Sequence, residues 1–191
     1  MPEASRRAAQ RRARNIHAPA SCSRRADERG TIQETELQGV KVMKILDACC
    51  GSKLFWFDKD NEYTTYMDIR EESFEIHGKK VNVTPDVVAD FRSMPFDDDI
   101  YDLVVFDPPH LKSAGPNSIM KAQYGQLDKN TWPDDIRQGM SECMRVLKPT
   151  GTLIFKWNEA QVSLKDVLNV IPHQPLFGNR RGKTHWIVFL K

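Results

Sequence analysis

The sequence predicts an α/β domain built on a doubly wound, mostly parallel sheet that ends in a C-terminal antiparallel hairpin. From Val42 onward, short apolar runs alternate with polar, helix-patterned segments. The run "LVVF" (103–106) is continuously apolar, which suits a strand covered on both faces. The last two apolar segments are joined by a connector that can link only antiparallel neighbours. At 191 residues, the chain has the length of one ordinary domain. With 28% charged and 40% apolar residues it has a soluble, globular balance, and no stretch approaches the ~18–20 apolar residues of a membrane helix.

Residues 1–42 read differently. The first 30 carry eight arginines against three acids, so the basic charge belongs to the tail and the remainder is net negative. This segment has no sustained apolar period and few large apolar side chains, so ordering its backbone costs more than burial returns. It is expected to be a disordered basic extension. It reads as a nucleic-acid-binding arm, as an Arg-rich targeting peptide, or as an upstream extension ahead of a domain that begins at Met43.

The domain, 43–191, takes its elements in order. "VMKILDACCG" (42–51) reads as a buried strand ending near Asp47, and "YTTYMDI" (63–69) as a second. Between them, "SKLFWFDKDNE" (52–62) barely fits one helix or a turn-rich loop. At least two of Phe55, Trp56 and Phe57 are expected to pack over the sheet, with one ring bordering a ligand. "DVVADF" (86–91), "YDLVVFDPP" (101–109) and "GTLIFKW" (151–157) supply the third, fourth and fifth strands. A helix is expected from Thr131 as N-cap, with Ile136, Met140, Cys143 and Leu147 on one face, ending before Pro149. A second, at 163–171, is capped by Ser163 and faces Leu164, Val167, Leu168 and Ile171 inward. "HQPLFG" (173–178) and "THWIVFLK" (184–191), joined by "NRRGK", close the sheet as its sixth and seventh strands.

Chemistry is expected outside the carboxyl ends of the strands, where strand order reverses. The first strand ends in "LDACCGS", an acid followed by small residues that let a ligand approach the backbone. Asp47 there accepts from backbone amides or from a ligand's ammonium group. Cys22, Cys49, Cys50 and Cys143 have neither disulfide nor zinc-site spacing, so no metal is expected, and a reducing, cytoplasmic setting fits best.

Taken together, "ILDACCGS", Asp68 at the end of the next strand, "VADF", "FDPPH" and "RVLKPTG" resemble in order and spacing the motif series of class I S-adenosylmethionine-dependent methyltransferases. The resemblance covers residues 43–191 and implies a Rossmann-like, seven-stranded fold with S-adenosyl-L-methionine as cofactor. Asp47, Ala48, Cys49 and Gly51 would line the cofactor. Asp68 would accept the ribose hydroxyls, as an acid some 20 residues beyond a glycine turn can. Asp90 and Phe91 would hold and cover the adenine. The alternative for Asp90 is a turn cap, and for Phe91 a core position. The chain departs from the common pattern in having a lone glycine, Gly51, after two cysteines, which read as small packing residues.

"DPPH" resembles the (D/N)PP(Y/F/W) motif of amino-methyltransferases, with Asp107 beside the cofactor. Pro108 and Pro109 remove both amide protons and fix φ, leaving carbonyl acceptors with no local donor competing for them. Asp107 and the Pro108 carbonyl would hold an amino group, and His110, in the place of the usual aromatic, would stack on it or take a proton. Residues 111–131 suggest a lid carrying Lys112, Lys121, Tyr124 and Lys129, with Tyr124 and Lys156 as substrate contacts and Trp157 and Asn158 at the same rim. The implied reaction is methylation of an amino nitrogen, most naturally on a nucleic-acid base of RNA or DNA. The alternatives are a small molecule, a protein side chain, or a non-catalytic cofactor-binding partner subunit. The slightly acidic domain lacks a separate target-recognition module, which favours the non-nucleic-acid acceptors.

Overall fold

The structure, a computed structural model, describes residues 42–191, so the extension expected over 1–42 lies outside the described residues but for Val42. Along these residues run β1 (Ile45–Asp47), β2 (Thr64–Asp68), β3 (Glu72–Ile76), β4 (Lys79–Val83), β5 (Val87–Val88) and β6 (Tyr101–Phe106). Then follow α1 (Ile119–Tyr124), α2 (Trp132–Val146), β7 (Leu147–Asn158), α3 (Leu164–Val170), β8 (Phe177–Arg181) and β9 (Thr184–Leu190).

Seven strands form one sheet in the order β5-β2-β1-β6-β7-β9-β8. Pairings from β5 to β7 are parallel, while β9 runs antiparallel to both β7 and β8. The chain builds outward from β1 through β2 to β5, then crosses back to lay β6 on β1's other side. That reversal opens a crevice at the carboxyl ends of β1 and β6. The doubly wound sheet with its closing hairpin is the architecture expected from the sequence.

The core explains why these segments became strands. Leu46, Val104, Phe106, Leu153, Phe155 and Trp157 have no exposed surface, and they belong to one cluster with Ile136, Met140 and Cys143 of α2. Phe155 stacks on Trp157 at 5.9 Å between ring centroids. The apolar stripe of α2 is thus buried as its spacing requires. α3 is also as expected: the Ser163 hydroxyl accepts from the Asp166 amide at 3.1 Å and donates to its carboxylate at 2.7 Å.

Several expectations are corrected. The third strand is two residues long, not six, because Asp90 and its neighbours turn away to bind Arg92. Thr131 does not cap α2 by its side chain; its hydroxyl donates to Asp135 at 2.9 Å. The fifth strand begins at Leu147, with a register shift that bulges "KPTG" out of the ladder. The sixth strand is Phe177–Arg181, shifted downstream from 173–178, so that Asn179, Arg180 and Arg181 also pair with β9 and the turn shrinks to Gly182 and Lys183. Finally, β3 and β4 form a separate antiparallel hairpin where the sequence pattern predicts no strand. His77 and Gly78, both at positive φ (49° and 72°), make its two-residue turn. Alternation of Phe74, Ile76, Val81 and Val83 around that turn is the signal that could have found it.

Candidate active site

β1 hands the chain at Asp47 to a tight turn. Gly51 sits there at φ +49°, and a side chain on it would meet the Gln123 carbonyl at 3.0 Å. Glycine is therefore required both for the left-handed backbone and for the close approach of the lid. The Gly51 amide donates to Asp68 Oδ2 at 2.9 Å, tying the end of β1 to the end of β2. Asp68 Oδ1 accepts from the Arg70 backbone at 3.0 Å and from its Nε at 3.2 Å. Oδ1 thus has both lone pairs engaged, while Oδ2 keeps one for a further donor.

The strand ends and the lid enclose a cavity of about 220 Å³. Of the residues singled out from sequence, Ala48, Cys49, Gly51, Asp68, Asp90, Phe91, Asp107, Pro109 and Tyr124 line it. Arg92 grips both Asp90 oxygens, at 2.6 to 3.0 Å, and also reaches Asp135 at 2.8 Å. The Arg92 hydrogen bonds hold the Asp90 carboxyl below its ordinary range. Phe91 lies half-buried with its ring 5.4 Å from Phe106, so it belongs partly to the core while bordering the cavity. The Ser52 hydroxyl, not singled out from sequence, also lines the cavity and is buried without a hydrogen-bond partner among the described residues. An orphaned hydroxyl beside small backbone residues marks room for a polar ligand.

Asp47, Pro108, His110 and Lys156 do not line this cavity. Asp47 is wholly buried, accepting from the Trp56 indole at 2.7 Å and the Cys49 amide at 3.3 Å. Burial, reinforced by the nearby charges of Asp107 and Asp68, pushes its carboxyl up to about 7 against the two hydrogen bonds. Its partner explains the aromatic crossover: Trp56 packs edge-on to Tyr66 of β2 at 5.4 Å, and Phe55 edge-on to Trp186 at 5.4 Å while bordering the cavity. Phe57 is fully exposed. Burial raises the thiols of Cys49 and Cys50 and keeps them protonated, so they are packing residues rather than nucleophiles.

Asp107, 8% exposed, directly follows β6 and forms an ion pair through Oδ2 with Lys156 of β7. Strand register produces this contact. Phe106 pairs with Phe155, so the next residues along, Asp107 and Lys156, lie side by side. Lys156 is paired in turn with Trp186 of β9. Its ammonium lies 5.1 Å from the Phe55 ring, 5.5 Å from Tyr124 and 5.6 Å from Trp186, a cage of three aromatic faces. The desolvation of Asp107 raises its carboxyl, and the Lys156 charge and hydrogen bond act against that rise.

His110 is buried, with its ring 5.5 Å from Tyr124 and its Nε2 without a partner among the described residues. Burial first, and the Lys156 charge second, push it down to about 4, so it is neutral around pH 7. At the expected rim, Trp157 is instead a core residue whose indole donates to the Val162 carbonyl at 3.0 Å. Asn158 is committed to Thr184 at 3.1 Å and to the Ala160 amide at 3.1 Å. Among the described residues, no group of three or more His, Cys, Asp or Glu could hold a metal ion, and no helix is long and apolar enough to cross a membrane.

The solved PH0226 protein of Pyrococcus horikoshii is 16% identical, with 78% of this chain and 83% of that chain covered and a TM-score of 0.54. The two share a fold. A TehB-like S-adenosylmethionine-dependent methyltransferase of Corynebacterium glutamicum is 17% identical over 80% of this chain and 82% of its own, with a TM-score of 0.47. For an S-adenosylmethionine-dependent methyltransferase of Methanosarcina mazei the values are 14%, 80%, 95% and 0.47. No protein-family model and no curated protein sequence matches the chain.

Proposed function

We propose that residues 43–191 are an S-adenosylmethionine-dependent methyltransferase domain acting on an amino nitrogen, with a nucleic-acid base as the acceptor. The observation that carries this reading is the convergence of Asp68, Asp90 and Asp107 on one cavity at the sheet's switch point, around the Gly51 turn. Five acids, Asp68, Asp90, Asp107, Asp128 and Asp135, line that cavity against Arg70 and Arg92. A net-negative lining suits a cofactor that carries a sulfonium and an ammonium group.

The residues fit that group. Asp68 Oδ2 has a lone pair for one ribose hydroxyl, and Oδ1 takes the second in exchange for the Arg70 Nε; Asp90 is an acceptor fixed by Arg92, Phe91 offers a ring face, and the Ser52 hydroxyl needs a partner. When bound, the cofactor supplies an electrophilic methyl group. Asp47 then serves the loop from behind, orienting it through Trp56 and Cys49 instead of touching the cofactor's ammonium group.

At the acceptor side, Lys156 occupies Asp107 Oδ2, leaving Oδ1 to accept an amino hydrogen. The resemblance to the amino-methyltransferase motif gives the Pro108 carbonyl, which does not line the cavity, as the second acceptor; fixing both hydrogens would aim the nitrogen lone pair. Tyr124, which borders the cavity, is better placed than His110 to stack on a base; His110 supports the Tyr124 ring from behind. The nucleic-acid assignment rests on the resemblance of "DPPH" to the amino-methyltransferase motif. The acidic lining favours the second reading, a small-molecule or protein-side-chain amine.

Incubating the full chain with methyl-tritiated cofactor and separate RNA, DNA, protein and metabolite pools tests the proposal. Label is expected in a nucleic-acid pool and falls by roughly 100-fold in Asp107→Ala, the scale of lost positioning. Label confined to protein or metabolites would replace the acceptor. Cofactor binding with no transfer to any pool would leave a binding subunit.

A further inference from the structure

The corner expected to hold the acceptor nitrogen already holds one. Lys156 Nζ is paired with Asp107, and the Lys156 side chain is only 15% exposed. Phe55, Tyr124 and Trp186 surround the ammonium, and Asp107, Phe55 and Tyr124 also line the cavity. Three neighbouring strands set this nitrogen in place through the registers that align Asp107, Lys156 and Trp186. An aromatic cage with one carboxylate is also the environment that favours a methylated ammonium, whose diffuse charge loses little by leaving water.

We propose that Lys156 is a self-methylation site: bound S-adenosylmethionine transfers its methyl group to Nζ of the same chain. The proposal rests on the methyltransferase reading above. In the step, Nζ gives one proton to the Asp107 carboxylate and its freed lone pair forms the C–N bond. The methyl C–S bond breaks with its electron pair returning to sulfur, so the sulfonium leaves as the neutral thioether S-adenosylhomocysteine. The product is a methylammonium, still cationic, and Asp107 passes its proton to solvent to restore the pair. Burial already raises the Asp107 carboxyl, which eases its turn as proton acceptor. Because acceptor and cofactor site lie in one chain, the reaction is first order in protein.

The test combines calorimetric binding of S-adenosylmethionine with peptide-level mass spectrometry of the full chain, both as purified and after incubation with the cofactor. Binding together with the mass of at least one methyl group on Lys156 is expected, at a rate independent of protein concentration. Lys156→Arg, which keeps a cation in the cage, should lose that methyl and retain binding. Asp107→Asn should slow incorporation by roughly 100-fold at saturating cofactor, the scale of a lost general base. Binding with Lys156 unmodified, with the methyl on another lysine, or with a rate that rises with protein concentration would overturn self-methylation and leave the parent reading standing. Absence of binding would overturn both.

Discussion

At the scale of single residues, the buried acids at the strand ends are the most informative groups. Asp47 has no exposed surface, and its carboxyl is lifted from an ordinary 3.8 to about 7, mainly by burial. Its folded-state value thus lies above its unfolded one. The folded protein holds the extra proton between about pH 4 and 7, and the stability tied to it is lost as pH rises through that window. Asp47→Asn removes this loss. Urea unfolding at pH 4 and pH 8 should show the variant gaining on wild type by a few kcal/mol across the interval, at about 1.4 kcal/mol for each pH unit crossed. Parallel profiles would contradict the account. The sequence located this acid at a strand end and allowed it a backbone amide as partner. It could not show that Trp56 would take the other oxygen, because that depends on how the turn-rich crossover folds back on β2.

At the scale of elements, the helical part of the lid buries nothing of its own, while its flanks are held by Gln161 on Lys112 and Ser113 and by the buried Leu111 and Leu127. α1 has six residues, none of them buried, so its own burial cannot fix it. Arg70 does much of that work, with its guanidinium donating to the Ala122 carbonyl at 2.9 Å and the Gln123 carbonyl at 3.4 Å, while its Nε stays on Asp68. One side chain therefore joins the expected ribose acid to the lid. Arg70→Ala should leave the urea midpoint nearly unchanged yet speed tryptic cleavage at Lys112, Lys121 and Lys129 several-fold, since local opening and not global unfolding exposes them. Equal cleavage rates would show that the lid is anchored elsewhere. The lid's existence was legible in its length and its Tyr124, whereas its latch was not. Arg70 and Ala122 are 52 residues apart, and no local pattern links them. The β3–β4 hairpin escaped for another reason: its strands are mostly charged or exposed, so the apolar rhythm that found the sheet is faint there.

At the scale of the whole described domain, the antiparallel edge, the place of the fourth strand beside the first and the position of the crevice followed from patterns a sequence displays. Continuous apolar runs gave the central strands, and the short final connector fixed the antiparallel edge. Register was not legible, and register builds the Asp107–Lys156–Trp186 row that the acceptor corner and its aromatic cage depend on. The central claim is that the cavity at the switch point binds S-adenosylmethionine through the acid at the end of β2. Isothermal titration of the full chain with that cofactor tests it most directly, alongside Asp68→Ala checked for native circular dichroism. One equivalent should bind to wild type, and the variant should bind at least tenfold more weakly, the scale of losing hydrogen bonds to a charged group at about 1.5–3 kcal/mol each. No heat of binding, or equal affinity in the variant, would contradict the account.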